Sequence, residues 1–230
     1  HGHLDCLSFE LAACGRSLIV DPGRYTYHEG GDVNLRAAFR STAAHNLVQI
    51  DGREQTAYRQ GPKRMKIAGP EPRATLLEAR DGFVRARADS AEYPVVLERT
   101  IIAGEAGWWL VFDRMEAAES HDYDLRLQLS PEAQGHTCIG PDGTPHSPNL
   151  AIATASSQPL GARIEQGWVA PAYGVRHAAP RFCAGQRANS GWFATLLIPF
   201  GEEEPQIRFE TDGLAWSVLC DGIEQRGRFQ

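Results

Sequence analysis

Four of the eight histidines, His1, His3, His28 and His45, fall within the first 45 residues of the chain. In the opening segment His1-Gly2-His3-Leu4-Asp5, positions 1, 3 and 5 are two apart, and residues two apart on an extended strand share a face. An extended segment would therefore set His1, His3 and Asp5 side by side. Asp21 closes a short apolar run and opens Asp21-Pro22-Gly23, a turn sequence. His45 stands just ahead of the apolar run Leu47–Ile50. Strand ends bring residues distant in sequence to one sheet edge, so His3, Asp21 and His45 can meet. Two imidazoles and a carboxylate are a common zinc ligand set that leaves a fourth position for water or another ligand. Mixed nitrogen and oxygen ligation suits zinc better than calcium or magnesium. Plainer roles exist for the same residues, Asp21 as a turn residue and His45 as a buried, hydrogen-bonded imidazole. Spacing alone leaves both open.

The elements that would position these groups read as strands. Leu7–Leu11 alternates apolar and polar residues, and Ser17–Val20 is a short apolar run. Leu47–Ile50 ends at Asp51-Gly52, a hairpin signal. Residues 74–88 predict two strands about Asp81-Gly82. Further strands are predicted at Val95–Ile102, Trp108–Asp113, Tyr123–Leu129, Leu150–Ala155, Ala162–Glu165, Gly191–Phe200, Gln206–Glu210 and Ala215–Cys220. The last two flank Asp212-Gly213. Residues 130–149 and 199–205 read as loops. About a dozen strands separated by turns, with few helical periods, predict an all-β fold. The predicted architecture is a large antiparallel sandwich forming one domain over residues 1–230, with a partly closed barrel as the competing form. Two stacked sheets would bury alternate residues such as Leu125, Leu127 and Leu129.

Composition narrows the function classes. The 230 residues carry 23 basic and 29 acidic side chains, for a formal net charge of −6. Hydrophobic residues make up 42%, which is ordinary for a globular chain with a substantial core. No apolar run is long enough for a membrane helix, and no block of Lys and Arg suggests a nucleic-acid or anionic-membrane partner. The five cysteines are scattered, without a CxxC pair, and read as buried thiols rather than a disulfide framework or thiolate zinc site. The chain opens directly on HGHLD without an initiator Met, as expected of a piece of a longer protein.

Three segments read together carry a resemblance: HGHLDCLSFELAACGRSLIVDPGRYTY, FRSTAAHNLVQIDG, and RTIIAGEAGWWLVFDRMEAAESHDYDLRLQLSPE. PAYGVRHAAPRF and GWFATLLIPF agree with it. The order HxH, DPG, AHN, then RTI with WLVFDR resembles the C-terminal half of the heparinase II/III-like polysaccharide lyases, a group that includes oligoalginate lyases. The resemblance implies an antiparallel β supersandwich that follows an N-terminal α/α toroid absent from this chain, with the active site between them. It implies zinc ligands at the second His of HxH, the Asp of DPG and the His of AHN, which are His3, Asp21 and His45. That zinc would support the structure rather than perform the chemistry.

The implied reaction is β-elimination on a uronic-acid polysaccharide, alginate or glycosaminoglycan. His1, the first His of HxH, would face substrate, and a catalytic Tyr would lie between DPG and AHN, where Tyr27 is favoured over Tyr25. Arg24, Arg36 and Arg40 are candidates to hold the uronate carboxylate, since guanidinium matches carboxylate in a bidentate way. Tyr25 joins Arg24 and Arg40 as a substrate-binding candidate. Tyr173 and Arg176 could form a cleft loop, though packing or solvation accounts for them as simply. Trp108, Trp109 and Trp192 sit in strand patterns and read as core. The isolated chain is expected to be inactive, its partners being an acidic polysaccharide and the missing toroid. Family members are often periplasmic or secreted and often dimeric, so that location and a homodimer enter as expectations. The alternative is a non-catalytic carbohydrate-binding or structural sandwich.

Overall fold

The computed structural model describes residues 2–29, 32–60 and 65–229. Along the chain come β1 (Leu11–Ala13), β2 (Arg16–Ile19), helix α1 (Leu35–Arg40), a 3-10 turn at Thr42–Ala44, and β3 (Leu47–Ile50). Next are β4 (Tyr58–Gln60), β5 (Met65–Ile67), β6 (Arg73–Arg80), β7 (Phe83–Asp89), β8 (Val96–Ala103), β9 (Trp109–Glu116) and β10 (His121–Gln128). The rest comprises β11 (Cys138–Ile139), β12 (Pro145–His146), β13 (Leu150–Ser156), β14 (Gly161–Ala172), β15 (Val175–Ala188), β16 (Gly191–Pro199), β17 (Ile207–Thr211), β18 (Ala215–Cys220) and β19 (Ile223–Arg228). The class is all-β.

Three sheets stack. A four-stranded sheet runs β14-β15-β10-β3, a six-stranded sheet β13-β16-β9-β8-β7-β6, and a three-stranded sheet β17-β18-β19, all antiparallel. The two larger sheets make the expected sandwich, and the C-terminal sheet adds a third layer. Successive residues of a strand point to opposite faces, so a sheet covered on both sides needs apolar residues at consecutive positions. The sequence of β9 and β16 meets that demand. Val111, Met115, Phe193 and Leu197 pack into the core shared with Leu125, Leu127 and Phe182 of the four-stranded sheet. Their neighbours Leu110, Phe112, Ala194, Leu196 and Ile198 form a second core with Val218 and Cys220 of the three-stranded sheet. Each such fully buried side chain contributes roughly 1.5–3 kcal/mol before entropy is counted.

Several sequence expectations shift. Leu7–Phe9 is not strand; pairing begins at Leu11, after a turn in which Leu7 has φ 67°. His3 and Asp5 likewise lie outside any strand. Trp108 is buried as expected, while Trp109 and Trp192 are only partly buried. All five cysteines are free; Cys183 and Cys220 are buried, but Cys14 and Cys138 are exposed. No helix among the described residues is long and apolar enough to cross a membrane.

Candidate metal centre

The residues that bring the centre together act mostly through backbone. Asn46 is fully buried and works as a clasp. Its Nδ2 donates to the carbonyls of Phe9 (2.8 Å) and Val20 (3.0 Å), and its Oδ1 accepts from the Gln128 amide at 2.6 Å. The segment leading to Asp21 is thereby fixed against β10 and next to His45. Beneath the clasp lies a buried ion pair, Arg99 Nε to Asp113 Oδ1 at 2.6 Å and Arg99 NH2 to Asp113 Oδ2 at 2.9 Å. The remaining arm of Arg99, NH1, donates to the carbonyls of Leu7 (2.7 Å) and Asn46 (2.6 Å). One guanidinium thus joins the six-stranded sheet to the segments flanking both His3 and His45. A buried pair of this kind holds only when its remaining hydrogen-bonding capacity is also met, as it is here.

The three predicted ligands converge. His3 Nδ1 lies 3.1 Å from His45 Nε2, which lies 3.4 Å from Asp21 Oδ2. His45 Nδ1 is 2.8 Å from the Ser41 carbonyl. A carbonyl only accepts, so Nδ1 carries a proton, and Nε2 is the ring nitrogen turned toward His3 and Asp21. Gly23 N donates to Asp21 Oδ1 at 2.7 Å, which leaves Oδ2 facing His45. Burial first, and then the neighbouring His45, lower the pKa of His3, so its ring favours the neutral form that ligates metals. The three side chains bring ligand-type atoms close enough to surround one cation. Tetrahedral zinc with bonds of about 2.0–2.1 Å places its ligand atoms about 3.3 Å apart, and the observed separations fit. Asp5, exposed, completes a group of four whose ligand atoms all lie within 4.8 Å of one another. It is the fourth candidate ligand.

Each candidate ligand has its own support. Arg40 is buried, and its Nε and NH2 donate to the Gly2 carbonyl at 3.0 and 2.6 Å while its own carbonyl accepts from Leu4 N at 3.0 Å. Expected as a carboxylate partner, Arg40 instead grips the backbone on both sides of His3. His45 follows α1 and the 3-10 turn; Asn34 caps α1 by accepting from Ala37 N at 3.0 Å. The DPG turn is laid against the β14–β15 hairpin, with Ala170 N donating to Pro22 O at 2.8 Å. Gly23 has φ 73°, and a Cβ there would lie 2.3 Å from the Ala170 carbonyl oxygen, so glycine is needed for both conformation and space.

Beside the centre stand the other predicted residues. Arg24 lies over the Tyr27 ring at 4.3 Å and donates to its hydroxyl. Tyr25 stacks on Phe39 at 5.5 Å. Arg36 of α1 is paired with Glu29. His1 lies outside the described residues. Sequence reasoning missed the clasp of Asn46 and the Arg99–Asp113 pair, although both lie inside the quoted motifs AHN, RTI and WLVFDR. Trp168, whose ring lies 4.2 Å from the Arg176 guanidinium, was also missed.

The chain belongs to the heparinase II/III-like C-terminal family, whose model matches residues 1–210. Its fold is similar to that of the heparan sulfate lyase HepC from Pedobacter heparinus, with TM-score 0.74 and 19% identity over 100% of this chain and 37% of that one. It is likewise similar to a crystal structure of heparinase III, with TM-score 0.75 and 17% identity over 97% of this chain and 35% of that one. The lysine-methylated heparinase III that is the BT4657 gene product gives TM-score 0.74 and 17% identity over 99% of this chain and 36% of that one. The chain thus spans little more than a third of the length of these structures. No curated protein matches it.

Proposed function

We propose that this chain is the C-terminal β-sandwich part of a longer polysaccharide lyase that cleaves uronic-acid-containing polysaccharide by β-elimination. It contributes a structural zinc site on His3, Asp21 and His45 and one wall of the cleft, opposite an N-terminal α/α toroid. The observation that carries this reading is the convergence of His3, Asp21 and His45 from three separate segments in a chain of this family. Bound zinc would tie those segments together beneath the cleft.

The reaction sets the demands on the remaining residues. A base removes the proton at C5, beside a carboxylate that stays ionised, and an acid protonates the O4 leaving oxygen. The product carries a 4,5-unsaturated uronate. Charge that develops on the carboxylate must be met by preorganised donors. Arg24 and Tyr25 supply donors beside the centre, and Tyr27 and His1 are the groups here suited to proton transfer. Arg40 acts by holding the Gly2 backbone between His1 and His3. A polymer of this kind implies a periplasmic or secreted protein.

The test uses the full-length protein. Incubation with alginate, heparan sulfate and hyaluronan should raise the ultraviolet absorbance of the unsaturated product on at least one polymer. Mass spectrometry should find about one zinc per chain, absent from His45→Ala. No absorbance change on any uronate polymer would overturn the lyase reading, and a metal content unaffected by His45→Ala would overturn the zinc site.

A further inference from the structure

The tip of the β14–β15 hairpin departs from the way this chain handles most of its strand arginines. Most strand arginines face a carboxylate: Arg87 faces Asp89, Arg114 faces Glu116, Arg163 faces Asp124, and Arg187 faces Asp122. Arg176 has no carboxylate partner among the described residues. Its guanidinium lies over two rings instead, 5.3 Å from the Tyr25 centroid and 4.2 Å from that of Trp168. Such stacking holds a guanidinium through its face and leaves its N–H edge free for a ligand. Tyr173, at the hairpin turn, is 59% exposed and lies 5.8 Å from the Tyr27 ring. The hairpin is tied to the DPG loop at two points near its tip, Ala170 N to Pro22 O and Gly174 N to Tyr25 O, each at 2.8 Å. Below Trp168 opens a cavity of about 200 Å³, lined by Pro22, Leu35, Phe39, Gln166 and Arg181 among others. Pockets for drug-sized ligands run to about 300–1,000 Å³, so this one suits a single ring.

We propose that the hairpin tip is a second acidic-sugar subsite, in which Arg176 receives an anionic group of the saccharide and Tyr173 and Trp168 offer ring faces to the pyranose. The charge argument selects the ligand: in a chain of net charge −6, a ring-held cation without a carboxylate calls for an anion from outside. A carboxylate and a sulfate share the chemistry that the guanidinium recognises. The subsite extends the cleft wall away from the DPG loop and rests on the reading that the protein handles uronate polysaccharide.

The experiment measures binding by calorimetry and initial-rate KM on the full-length protein, with an unsulfated uronate oligosaccharide, a sulfated heparan oligosaccharide, and the carboxyl-reduced form of the first. Arg176→Gln should weaken binding about tenfold, the order of one charge-assisted contact, and Tyr173→Ala about fivefold. Arg176→Lys should show a partial loss, because charge without the planar fork does only part of the task. The carboxyl-reduced probe should bind the wild type weakly and lose little more in Arg176→Gln. Arg208→Gln, on the three-stranded sheet, is the control and should bind as wild type. A loss confined to the sulfated probe assigns the anion to sulfate, and a loss on the unsulfated one assigns it to carboxylate. Unchanged dissociation constants for Arg176→Gln and Tyr173→Ala against both charged probes would overturn the subsite. Zinc content and thermal midpoint verify each variant's fold, and Tyr173→Ala and Arg176→Lys carry the test should Arg176→Gln fail it. Binding that depends on Arg176 without any turnover would sink the lyase reading and leave the subsite standing.

Discussion

The three-stranded C-terminal sheet and the tip of the β14–β15 hairpin are both exposed, and both carry arginines. On the sheet, each of two arginines meets a glutamate two residues away on its own strand: Arg208 Nε to Glu210 at 2.8 Å, and Arg226 Nε to Glu224 at 3.0 Å. Residues two apart share a strand face, so these charges cancel within one strand and project little field outward. At the hairpin Arg176 rests on aromatic rings, and on the adjoining DPG loop Arg24 rests on the Tyr27 ring, with no carboxylate against either among the described residues. The difference separates an outer surface built for solvation from one left ready for an anion. The Arg99–Asp113 pair is a third case, a charge cancelled by its partner but inside the protein, where the partnership matters most.

Breaking that interior partnership gives the largest effect. Arg99→Met leaves Asp113 buried without its cation and releases the Leu7 and Asn46 carbonyls. Loss of one partner of a buried pair costs about 3–5 kcal/mol, read as a lower urea midpoint. A loss below about 1 kcal/mol would mean that the pair does not hold the layers together.

Next in size is the proposed zinc site, where two imidazoles and a carboxylate face one another. In the full-length protein, Asp21→Asn should lower zinc content at least tenfold. A chelator should lower the thermal midpoint of the wild type and leave the variant nearly unchanged. Equal sensitivity of both to the chelator would count against Asp21 as a ligand.

A smaller effect is expected at Asp51, which faces His121 Nδ1 at 2.6 Å. Desolvation raises its pKa, but the hydrogen bonds from His121 and the Asp122 amide, with the fields of His121 and Arg53, bring it below its ordinary 3.8. A carboxyl depressed on folding stabilises above its unfolded pKa, and that stability is lost as pH falls through the folded value. Stability should therefore decline below about pH 4, with a shallower acid slope in Asp51→Asn. Asn tolerates the left-handed backbone at this position, φ 52°. Identical slopes would remove this residue from the acid response.

The smallest effect falls on the self-neutralised sheet. Arg208→Gln should change stability by no more than about 0.5 kcal/mol in a denaturant titration, and a larger change would erase the contrast with the hairpin.

Legibility in the sequence followed the same physics. β10 could be read because Leu125 and Leu127 face a core while Asp124 and Arg126 face outward, which prints alternation into the letters. β15, with 14 residues, went unread as a strand because Pro180 and Gly185 interrupt it and Ala and Cys fill its inner positions. Leu7–Phe9 alternates but does not pair with a strand, because its polar groups serve Asn46: Ser8 Oγ accepts from the Asn46 amide at 3.1 Å, and the Phe9 carbonyl accepts from the Asn46 side chain. His3, Asp21 and His45 were visible as residue types and as motif positions. Asn46, Arg99 and Asp113 appeared in the motifs only as letters, since their meaning lies in contacts between separate segments, 14 residues apart for Arg99 and Asp113 and 82 for Asn46 and Gln128. Arg40 carried a sign of charge but no sign that its partner would be a carbonyl.

The tight approach of Gly23 to Ala170 has a consequence for how the His3–Asp21–His45 cluster can fail. A methyl group at residue 23 would act as a wedge, prising the turn off the hairpin and swinging the Asp21 carboxylate out of line. Gly23→Ala would then disarm the proposed ion site from behind, leaving every donor atom chemically intact yet aimed elsewhere.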